Sequence, residues 1–83
     1  MRRADLIRQF VLENYIKPAR TRGDNRITVR AGDVHREMGL QSAMPAVASA
    51  LGADKFQEYA HVRLVARDGP HNGANLRLTY ELL

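Results

Sequence analysis

The chain contains no cysteine and no tryptophan among its 83 residues, and only three prolines and two phenylalanines. Without cysteine there is no disulfide, no thiolate zinc site and no cysteine nucleophile, a composition that suits the reducing cytoplasm. Aliphatic stretches such as Leu64–Ala66 and Leu82–Leu83 are only a few residues long. A spanning helix needs about 20 apolar residues, and a signal peptide needs a continuous apolar segment, so no membrane association is expected.

Signatures of catalysis are equally scarce. The chain has no HExxH, no Walker loop and no dinucleotide fingerprint; Gly-Pro-His-Asn-Gly at 69–73 is short and turn-like. His35, His61 and His71 lack metal-ligand spacing, and the only serines, Ser42 and Ser49, sit outside any nucleophile-elbow context. No enzyme activity, cofactor or metal is expected.

What is present is charge of one sign in one place. The net charge is +4. Residues 1–30 hold eight basic and three acidic side chains, whereas the remaining positions hold five and six. Eleven of the thirteen basic residues are arginine, whose planar fork matches phosphate oxygens two at a time. The densest basic stretch runs from Lys17 to Arg26 and contains Arg20 and Arg22, with only Asp24 opposing.

A chain of this length has room for one core, so residues 1–83 are read as one domain, with residues 1–4 as a flexible N-terminal arm. Leu6, Ile7, Phe10, Val11, Tyr15 and Ile16 recur at helical spacing between Asp5 and Lys17, and Pro18 is expected to end that helix. The polar PARTRGDNR stretch reads as an exposed loop and ITVR as a short strand. Ala31 to Met38 predicts a second helix, closed by Gly39 in a left-handed cap with Leu40 folding back. Ser42 is placed to cap a third helix running to Ala53, with Pro45 in its first turn and Val47, Ala48 and Leu51 facing inward. Gly52 either loosens its end or stands inside a continuation to Tyr59. HVRLVAR and ANLRLTYEL then read as two strands joined through the DGPHNG turn.

This order, with ITVR before AGDVHREMGL, SAMPAVASAL after it and a terminal hairpin, resembles a winged helix-turn-helix domain over residues 5 to 83. The resemblance implies an α+β fold of order helix, strand, helix, helix, strand, wing, strand, with a small three-helix core. It also implies binding to double-stranded DNA through the second helix of the pair and the wing. Gln41, Ser42 and Ser49 lie on or before that helix, together with the outward Ala43, Ala46, Ala50 and Ala53. It carries no Arg, Lys or Asn for a bidentate base contact. Arg67, His71, Asn72, Asn75 and Arg77 belong to the wing and its strands, where phosphate contacts are expected. Lys17, Arg20, Arg22 and Arg26 are candidates for a backbone clamp. Two functions stand open: a DNA-binding protein with a role in transcription regulation, or a winged-helix module that docks on a protein. The first helix carries apolar residues around most of its circumference, so a homodimer through it fits both.

Overall fold

A computed structural model describes residues 2–71 and 73–83, and the account of structure concerns those residues. The chain forms α1 (Arg3–Val11), a π-helical turn (Leu12–Ile16), α2 (Lys17–Thr21), β1 (Arg26–Arg30), α3 (Ala31–Glu37), α4 (Met44–Gly52), α5 (Asp54–Ala60), β2 (Val62–Asp68) and β3 (Arg77–Leu82). The strands make one antiparallel sheet of order β1-β3-β2. The protein is therefore α+β, with helices packed on one face of a three-stranded sheet.

The first three segments form a continuous rod that passes through Pro18 instead of ending before it. The reason lies in the π turn, where the Lys17 N–H bonds to the Leu12 carbonyl five residues back. Proline has no N–H and its ring crowds the carbonyl one α-turn earlier; a locally widened turn removes that conflict. The apolar stripe carries the same extra residue. Ile7 and Val11 are four apart, Val11 and Ile16 five, and all three are fully buried together with Ala19. The expected helix end at Lys17 is thus corrected to Thr21, and the first half of the basic stretch from Lys17 to Arg26 is helix. Arg3 and Ala4, expected in a flexible arm, stand in the first turn of α1, where Ala4 packs against the core.

Gly39 takes the expected left-handed cap (φ +67°), and Leu40 packs against the core behind it. Ser42 does not cap the next helix. It has φ +50° and is exposed, and α4 starts after Ala43, whose N–H is accepted by His35 Nε2 at 3.2 Å. Ala43 and Ala50, expected to face outward, are buried.

The core meets a fourth helical rod that the three-helix reading missed. Extended backbone at Ala53 (ψ 147°) separates α4 from α5, so no continuous helix runs to Tyr59. The last carbonyls of α4 find other partners: Arg8 Nε donates to Ala50 at 3.1 Å and the Tyr80 hydroxyl to Leu51 at 2.6 Å. With those acceptors satisfied from outside, the helix can stop. Phe56 then drops into the core edge-on to Tyr80, with ring centroids 5.2 Å apart.

Candidate nucleic-acid interface

Strand alternation decides which residues of β2 and β3 share a face. On the inner face Val62, Leu78 and Tyr80 are buried against the helices. Regular alternation from Val62 would turn Arg67 outward. Instead an extra residue lies between Leu64, opposite Tyr80, and Ala66, opposite Thr79, and Arg67 falls opposite the inward Leu78. A bulge of this kind re-aims every side chain after it. Arg67 consequently reaches over the end of α4. Its Nη1 lies so close to Gly52 that a Cβ there would stand 2.7 Å from it. The negative end of the α4 dipole favours a guanidinium in that place.

A groove of about 360 Å³ results between α4 and the end of β2, lined by Ala48, Ser49, Gly52, Ala53, Arg67 and His71. Ser49, Arg67 and His71 were all candidates from sequence, and here they converge. α4 itself contributes no charge, so Arg67 is the cation of this groove, and its side chain is exposed. The remaining polar inventory of the groove is one hydroxyl and one imidazole. That set can hold a phosphate oxygen and fill a groove sterically; α4 itself offers no two-point contact to a base edge, and the one fork in the groove is that of Arg67.

The other candidates are sorted differently. Arg20 Nη2 donates to the carbonyls of Ala60 and His61 at 2.6 and 2.7 Å, which ties the first rod to the end of α5. His61 closes that helix in a left-handed conformation (φ 55°). Arg22 pairs with Asp24 at 2.9 Å and Lys17 with Glu13 at 2.9 Å. Asn75 accepts from Arg30 Nη2 at 2.7 Å, while Nη1 of the same guanidinium holds Asp33 at 2.8 Å. That bridge fixes the segment before β3 to α3, as do the bonds from the Ala31 and Gly32 N–H groups to the carbonyls of Leu76 and Ala74. Gln41 and Ser42 are exposed in the turn before α4, and Arg26 and Arg77 are exposed on the sheet. Asn72 lies outside the described residues.

Sequence reasoning missed Gly52 as part of the groove. Its signal was a glycine at the end of an alanine-rich helix, but without the bulge there was no reason to bring an arginine over it.

Two tyrosines are held protonated beyond the ordinary range, Tyr80 by burial and Tyr15 by burial first and then by its hydrogen bond to Glu37. Neither lines the groove. Among the described residues no three His, Asp or Glu side chains converge as a metal site, and no helix is long and apolar enough to cross a membrane.

Set against known protein families, curated proteins and solved structures, the chain matches none.

Proposed function

We propose that this chain is a small winged-helix protein that binds double-stranded DNA mainly through its phosphate backbone, using the α4 face and the wing in the service of transcription regulation. The observation that carries this reading is the groove in which Ser49, Arg67 and His71 meet beside an uncharged helix. The order of helices and strands and the β1-β3-β2 sheet support the fold half of the reading. The near absence of base-reading donors on α4 argues for weak sequence preference. Such binding would act in the cytoplasm.

The test is fluorescence anisotropy of a labelled mixed-sequence duplex. Arg67→Ala is expected to weaken binding roughly tenfold on every sequence tried and to lower the salt slope by about 1. Gly52→Ala, which displaces the Arg67 guanidinium and touches only the far end of that flexible side chain, is expected to weaken binding in the same direction. Wild-type affinity in both variants would remove the groove from the interface.

A second reading, a protein-docking module, is favoured by one observation. Leu6 is 44% exposed on α1, beside Phe10 and Met38 in a shallow groove, and Tyr59 on α5 is 45% exposed. A second copy of the chain would be the simplest occupant, giving a homodimer through the first helix. Sedimentation that stays monomeric at high concentration would count against it.

A further inference from the structure

The sheet has a second face, which no helix covers. Its rows follow from the strand register. Arg26, Glu81 and Arg63 form one cross-strand row; Arg30, Arg77 and Asp68 form another; Thr28 and Thr79 lie between them with their hydroxyls 2.9 Å apart. Each outer row therefore holds two arginines and one carboxylate, which leaves positive charge in excess at both ends.

The compensation within the rows is incomplete. Glu81 pairs with Arg63, and Asp33 is shared between Arg30 and Arg36. Arg26 and Arg77 have no ion pair among the described residues. Arg30 and Arg77 stand side by side on neighbouring strands, a like-charge pairing that Asp33 offsets at Arg30, so among the described residues Arg26 and Arg77 are the sheet arginines whose guanidinium groups are left to an outside anion. The apolar side chains of this face are confined to the bulge, where Val65 is exposed next to Ala66 opposite Thr79, and the remaining positions are arginine, threonine and carboxylate, which leaves an apolar partner a small area to rest on. Charge and hydroxyls instead suit a polyanion with regular spacing. Arg26 and Arg30 are four residues apart on one strand, about 13 Å, and a nucleic-acid strand offers a phosphate every ~3.4 Å of its axis.

We propose that this open sheet face is a second binding surface for a nucleic-acid backbone, so that one molecule holds two duplex segments at once. The proposal rests on the DNA-binding reading above. The two surfaces cannot serve one straight duplex, because α4 packs on the opposite side of the sheet, where Tyr80 bonds to its Leu51 carbonyl. The protein measures 34 × 28 × 21 Å, and with its two surfaces on opposite sides of the sheet it would sit between two duplexes.

The experiment is two-colour bridging. One mixed-sequence duplex is fixed to beads, protein is added, and capture of a second, differently labelled duplex is measured per duplex occupied on the bead. The wild type is expected to capture the second duplex, and Arg26→Glu with Arg77→Glu to reduce that ratio at least tenfold. The milder pair Arg26→Gln and Arg77→Gln, which adds no carboxylate beside Asp68, is expected to reduce it several-fold while circular dichroism confirms an unchanged fold. A ratio equal to wild type in both pairs overturns the proposal, as it would if a dimer carried one duplex on each α4 face. Binding of one duplex without capture of a second also overturns it and leaves the first reading standing; no binding of any duplex removes both.

Discussion

Single side chains in this protein do unlike jobs despite like chemistry, and the arginines show it best. Arg8 and Arg20 donate to backbone carbonyls at helix ends, Arg30 ties the segment before β3 to α3, and Arg67 lies exposed over Gly52. Tyr80 combines two roles, since its ring packs on Phe56 and its hydroxyl closes α4. Burial keeps that hydroxyl protonated well above the ordinary tyrosine value of about 10. The unfolded chain releases this proton near pH 10 and the folded chain does not, so in that window the unfolded state binds fewer protons. Stability from this group is complete below about pH 10 and falls as pH rises further. Tyr15 acts in the same direction. Thermal melts between pH 8 and 11 are expected to decline more steeply in wild type than in Tyr80→Phe, which also loses about 1 kcal/mol at neutral pH with its hydrogen bond. Parallel profiles would contradict this account. Composition named the arginines as a group, but which one faces a carbonyl and which faces solvent depends on contacts 40 to 42 residues apart in the chain.

At the scale of elements, local pattern carried far and then failed at identifiable places. The order of strands and helices, the left-handed cap at Gly39 and the hairpin were readable because each depends on residues within a few positions. The rod through Pro18 was not, although the spacing of Ile7, Val11, Ile16 and Ala19 already contained the extra residue of a π turn. The phase of the apolar stripe outweighs the proline. The separate α5 was missed because the partners that end α4 come from α1 and β3. The groove was legible in part: Ser49, Arg67 and His71 were candidates, but the bulge after Leu64 that gathers them leaves no local signature. Arg20 illustrates the converse, a basic residue assigned to phosphate whose guanidinium caps α5. Arg20→Ala is expected to destabilise the fold by about 1–2 kcal/mol, several degrees in Tm, with the salt slope of duplex binding unchanged. A lowered slope with an unchanged Tm would return Arg20 to the interface.

The whole molecule is a thin α+β slab with helices on one side of the sheet and an arginine-rich open face on the other. Its charge is modest in total and uneven in placement, which is why composition suggested a polyanion but could not place it. The central claim is that backbone electrostatics, with little base readout, hold a duplex. The most direct test is the salt dependence of wild-type binding to a mixed-sequence duplex, followed by anisotropy from ~50 to ~200 mM salt. Each phosphate contact made is expected to lower affinity roughly 3.5-fold across that range. No binding at the lowest salt, or an affinity that does not move with salt, would contradict the account and favour a protein partner.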